Sequence, residues 1–111
     1  MPRDYKVYLE DILQAIQKIR TYTSGMQLPT FQNDAKTFDA VVRNLEVIGE
    51  ATKKVPRGVR SKHPHVEWRR IAGLRAILIH EYFGVDAEIV CDIVVNKLPP
   101  LERQIENVLE E

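Results

Sequence analysis

The sequence predicts an all-α fold, an antiparallel bundle of about five helices, and three observations carry that expectation. Apolar residues recur at three- and four-residue steps in several separate runs. Glycine and proline fall mostly between those runs, with Gly49 and Gly73 inside them. No segment shows a competing alternation of apolar and polar residues. With 111 residues, 44% of them hydrophobic and 29% charged, the chain has the length and balance of one globular domain spanning 1–111.

The first run, from Tyr5 to Thr23, places Tyr8, Ile12, Ala15, Ile19 and Tyr22 on one stripe, widened by Leu9, Leu13 and Ile16. Ser24 and Gly25 end it, and Leu28-Pro29-Thr30 opens a second helix with Thr30 as its cap. Phe38, Val41, Leu45 and Ile48 carry that helix to Lys54, where Pro56 forbids continuation. Gly49 lies inside it and costs about 1 kcal/mol relative to alanine, a cost best explained by close approach of another helix. Residues 55–66 (VPRGVRSKHPHV) read as a loop. Trp68, Ile71, Leu74, Leu78 and Tyr82 then define a third helix, closed at Gly84, and Asp86 caps a short fourth with Ile89, Val90, Ile93 and Val94. Pro99-Pro100 stops the fourth helix and starts a fifth with Leu101, Ile105, Val108 and Leu109.

Composition excludes several functional classes. No run approaches the roughly 20 apolar residues of a membrane span, and the amino terminus is charged where a signal peptide is apolar, so the expected location is cytoplasmic. Sixteen basic and sixteen acidic residues cancel, leaving no global attraction for nucleic acid. Locally, Lys53, Lys54, Arg57, Arg60, Lys62, Arg69, Arg70 and Arg75 gather in mid-chain, an arrangement that belongs to a solvated linker with basic helix ends more often than to a phosphate track. The lone Cys91 sits among apolar residues and reads as core.

The segment Arg75-Ala-Ile-Leu-Ile-His80-Glu-Tyr82 departs from this generic pattern. Arginine brings a permanent charge and a planar donor set suited to phosphate, and histidine moves protons near neutral pH. Those are the tools of phosphodiester cleavage. At about 100° per residue Arg75 and Tyr82 share a helix face, whereas Arg75 and His80 diverge by roughly 140°. One helix therefore does not assemble the site. Either the arginine wraps around or a second surface, such as another copy of the chain, completes a cleft.

This R-x4-H-x-Y arrangement resembles the signature of the HepT toxins of the HEPN superfamily. The resemblance extends to Arg43–Ala51, to the Pro64–Trp68 approach, to Tyr82-Phe83-Gly84-Val85-Asp86 and to the Leu98-Pro99 turn. It implies a HEPN-like homodimer and a metal-independent endoribonuclease without a cofactor, its cleft formed where the motif helices of two chains meet. On that basis Arg75 would hold the scissile phosphate and His80 would transfer protons. Apart from the resemblance, Arg69 and Arg70 are candidate guides for RNA, although most such pairs only keep a helix soluble. The resemblance also implies a toxin–antitoxin pair whose minimal nucleotidyltransferase partner attaches AMP to the active-site tyrosine, here Tyr82. One position departs from the family: a polar residue, often asparagine, usually follows the motif arginine, and here Ala76 does. Alanine can neither donate nor accept a hydrogen bond, so the departure bears on the strength of the activity. It also favours an alternative, a non-catalytic binding partner of the nucleotidyltransferase.

Other candidates carry plainer readings. His63-Pro64-His65 lacks companion ligands at metal spacing. Trp68, at a helix start, reads as core ahead of base stacking. Glu46 and Glu50, one turn apart, read as a solvated or dimer-facing edge, with Glu50 able to hold a basic side chain.

Overall fold

The computed structural model describes residues 4–74, 76 and 87–111, and among these every regular element is helical. α1 (Tyr5–Thr23) starts at Asp4, whose carboxylate accepts from the Lys6 amide at 2.9 Å, and it ends in a turn where Gly25 adopts φ 76°. Its buried stripe is Leu9, Ile12, Ala15, Ile16 and Ile19. The expected stripe is thus rotated: Tyr8 is only partly buried and Tyr22 is 39% exposed, because the aliphatic residues take the centre of the contact.

The expected second helix is two. α2 (Leu28–Asn33) has Pro29 in its first turn and Gln27 before it, so Thr30 lies within the helix and does not cap it. Asp34 leaves helical geometry at φ −95°, ψ 89°, and its carboxylate accepts from the Thr37 amide at 3.1 Å to start α3 (Ala35–Lys54). Asparagine and aspartate favour such local bonds over helix interiors, which explains the break at 33–34. That amide bond, first among the causes, holds the Asp34 carboxyl below its ordinary pKa. Val41, Leu45 and Ile48 of α3 are fully buried, and Phe38 packs on Phe31 with ring centroids 5.4 Å apart.

The expected loop over 55–66 contains α4 (Arg57–Lys62), begun by Pro56. Val55, Val59, His63 and Val66 turn inward at helical spacing, with His63 buried among them. Counting that histidine as polar conceals the period. α5 (Trp68–Ala72) halts at Gly73, and Leu74 and Ala76 resume helical geometry. A continuous third helix from Trp68 is therefore interrupted near its start; its remainder, with the expected stop at Gly84 and cap at Asp86, lies outside the described residues.

α6 (Ala87–Asp92) runs through a π-helical turn at Ile93–Lys97 into α7 (Leu98–Leu109). The proline pair opens α7 as expected but does not separate it from α6. Pro99 and Pro100 donate no amide proton, and their rings crowd the carbonyls four residues back. The wider turn accommodates them, with the Leu98 amide bonding to the Ile93 carbonyl. Ile93 and Val90 are buried there, as are Leu98, Leu101, Ile105 and Val108 of α7. α1 packs along α3, α5 lies against α3, and α7 lies against α1. Arg20 of α1 pairs with Glu102 of α7, a carboxylate only 9% exposed, closing that contact with a charge-assisted bond. No helix among the described residues is long and apolar enough to cross a membrane.

Candidate active site and its approach

Arg75, His80 and Tyr82 lie outside the described residues, and the structure shows what leads to them. The approach is a tight corner between α4 and α5. His63 is its hub: its carbonyl accepts from the Val66 amide at 3.2 Å and from the Trp68 indole Nε1 at 2.9 Å. Its ring, buried, places Nε2 3.2 Å from a Glu111 carboxylate oxygen and meets the His65 ring at 77°. The end of the chain beyond α7 is thereby tied to the residues preceding the motif. Trp68 is 7% exposed, a core residue as its position suggests. Leu74, directly before Arg75, is also buried, so both ends of the approach are anchored.

Ala76 is helical and exposed, which leaves room for a longer side chain at the position where the family usually has a polar one. Of the two candidate RNA guides, Arg70 is held by Glu67 at 3.0 Å, whereas Arg69 has no carboxylate partner among the described residues. Gly49 is buried on α3. Glu46 pairs with Arg43 at 3.8 Å and Glu50 with Lys53 at 3.5 Å. A shallow groove of about 260 Å³ runs between α1 and α3, with Tyr8, Asp11, Arg43, Glu50 and Lys54 on its walls. A second, apolar cavity of about 300 Å³ lies beside the motif approach, where Ile71 and Leu74 face Ile93, Leu98 and Leu101.

Among the described residues, no group of three or more histidine, cysteine or carboxylate side chains is placed to hold a metal ion. His63 has a structural partner in Glu111 instead. Cys91 is half-buried, and desolvation raises its thiol pKa, the opposite of what activates a nucleophile. Two links escaped sequence reasoning: His63 with Glu111, and Arg20 with Glu102. Each joins residues far apart in the chain, and no local pattern announces such pairs.

The model of the family described as "Ribonuclease HepT-like" matches residues 12–108. The chain belongs to this HepT-like family, within the HEPN superfamily. Relatives named after ribonucleases agree. "Putative RNase MJ0127" of Methanocaldococcus jannaschii is 44% identical, the match covering 100% of this chain and 93% of that protein. "Probable ribonuclease HepT" of Thermococcus cleftensis is 42% identical over 97% of this chain and 98% of its own length. "Putative RNase TTE0752" of Caldanaerobacter subterraneus subsp. tengcongensis is 41% identical over 94% and 93%. No solved structure matches the chain. A HepT-like chain is a ribonuclease of the HEPN type by class, and the all-helical architecture agrees with that membership.

Proposed function

We propose that this HepT-like chain is the toxin of a toxin–antitoxin pair, a metal-independent endoribonuclease that acts as a homodimer with Arg75 and His80 at its cleft. The observation that carries the reading is the Arg75-x4-His80-x-Tyr82 motif inside a chain matched to the family along 12–108. The 2′-hydroxyl of the substrate attacks its own phosphorus, forming the O2′–P bond as the P–O5′ bond breaks. His80 accepts the hydroxyl proton, and His80 of a second copy donates one to the leaving 5′-oxygen, work worth about 10²–10⁴-fold in rate. Arg75 binds the non-bridging oxygens, whose charge grows in the transition state. A second chain also answers the roughly 140° between Arg75 and His80 on one helix.

Tyr82 is the regulatory site. A minimal nucleotidyltransferase partner transfers AMP from ATP to its phenol oxygen, releasing pyrophosphate, and the added phosphate competes for Arg75 while the nucleoside fills the cleft. The second reading, a non-catalytic partner of that nucleotidyltransferase, is favoured by Ala76. End-group analysis of RNA fragments made in EDTA separates the two: 2′,3′-cyclic phosphate and 5′-hydroxyl ends support the enzyme, and cleavage of DNA contradicts it. Intact mass after co-expression with the partner tests the regulation, since a gain in AMP multiples that survives Tyr82→Phe removes Tyr82 as the acceptor.

A further inference from the structure

Charge in this chain is neutral in total and strongly uneven in place. Residues 51–72 hold seven lysines and arginines against one carboxylate, Glu67, so the rest of the chain carries nine basic and fifteen acidic residues. A flexible linker would make this unremarkable, but the segment is a folded corner. Val55, His63, Val66 and Trp68 are buried within it, while Lys54, Arg57, Lys62 and Arg69 are exposed, Arg57 and Lys62 diverging by roughly 140° around α4. Lys53 and Arg70 are engaged by Glu50 and Glu67. Of the remaining five, Arg60 is half-buried and the four exposed ones make no ion pair with any described residue; Glu111, which reaches this corner from the end of the chain, pairs with His63. At Gly58, the second residue of α4, an added β-carbon would meet nothing within 4 Å, so the helix is uncovered there.

We propose that the exposed surface of this corner, from the end of α3 around α4 to α5, is a track for the RNA backbone, with Lys54, Arg57, Lys62 and Arg69 as its phosphate contacts. It rests on the ribonuclease reading for its substrate, and it deepens that reading by placing the path by which RNA reaches Arg75, three residues beyond Ala72. Like charges gathered without partners repel one another, and a polyanion relieves that repulsion. An acidic protein would do so too, but protein interfaces draw their affinity from buried aromatic and apolar anchors. Among the described residues the exposed large hydrophobics are Tyr22, Ile89 and Val95, none of them in this segment. A face that offers charge without apolar anchors suits a phosphate backbone, where counterion release supplies the affinity.

The test measures affinity of the full chain for a short single-stranded 2′-O-methyl RNA, which the proposed chemistry cannot cut, by fluorescence anisotropy over a salt series. Changing Lys54, Arg57, Lys62 and Arg69 together to glutamine is expected to flatten the slope of log K against log salt by about 0.7 per contact, about 2.8 in all. A control changing Lys18, Lys36, Lys97 and Arg103 removes the same charge from exposed positions elsewhere and should leave most of the slope. Single variants, each expected to flatten it by about 0.7, keep the test informative if the quadruple variant melts early. An unchanged slope, or an equal loss in the control, overturns the track. So does unchanged RNA binding coupled with lost retention of the nucleotidyltransferase partner, which would make the face a protein-docking surface. Unmodified RNA separates this from the ribonuclease reading. Wild type that cuts it while the quadruple variant binds undiminished keeps the enzyme and removes the track; wild type that binds through the four cations but never cuts does the reverse.

Discussion

Replacing Trp68 by phenylalanine probes the corner that delivers the motif. The indole Nε1 loses its 2.9 Å bond to the His63 carbonyl, although that oxygen keeps its bond from the Val66 amide. Loss of one buried hydrogen bond whose acceptor stays partly satisfied costs about 1 kcal/mol. The smaller ring leaves space at a site that is 7% exposed, for a further cost on the order of 1 kcal/mol. At roughly 4 °C per kcal/mol for a domain of this size, the melting temperature should fall by about 8 °C. Thermal unfolding followed by far-ultraviolet circular dichroism reads that shift. Trp68→Ala, which empties the site, should cost about 3–5 kcal/mol. A fall of less than about 2 °C for Trp68→Phe would refute the view that the indole bond ties α5 to His63.

Three further outcomes are expected. Asp34→Ala should lower the melting temperature at neutral pH by removing the α3 cap. Because the folded carboxyl titrates below 3.8, the stabilisation is present above that value, and the gap between wild type and variant should close as pH falls through the lowered pKa, measured by melting curves over a pH series. Arg20→Ala leaves Glu102, 9% exposed, without its ion pair; since Arg20 is itself largely solvated, the loss should be about 1 kcal/mol in urea titrations. Ala76→Asn should raise RNA cleavage about tenfold, the worth of one charge-assisted hydrogen bond, and cost about 0.6 kcal/mol of helix propensity at an exposed position.

The helical class and most of the core were legible because apolar periodicity is a local property. Val41, Leu45 and Ile48, and likewise Leu101, Ile105 and Val108, are buried where their spacing places them. Breaks were less legible. The carboxylate of Asp34 outcompetes the helix for the Thr37 amide, a contest decided by backbone geometry that spacing does not encode. The π-helical turn before Pro99 shows the converse: two prolines that announce a stop are absorbed by widening one turn. α4 was hidden because none of its own residues is buried: the buried positions Val55, His63 and Val66 flank it, and the histidine among them is held by bonds to Trp68 and Glu111 that only the fold supplies. For the site, residue types and the family signature were legible at Arg75, His80 and Tyr82. How they would come together was not, because helical spacing alone separates arginine from histidine by roughly 140°. That Lys54, Arg57, Lys62 and Arg69 are exposed and make no ion pair among the described residues emerged only from the folded corner.

The assignment of cleavage to Arg75 and His80 meets its most direct test in purified protein incubated with total RNA in EDTA, beside Arg75→Ala and His80→Ala, each also made with Ala76→Asn. Cleavage by the two parents that either substitution abolishes is the predicted result. Equal inactivity of all the proteins, with asparagine restored at position 76, would contradict it and leave a non-catalytic partner of a nucleotidyltransferase.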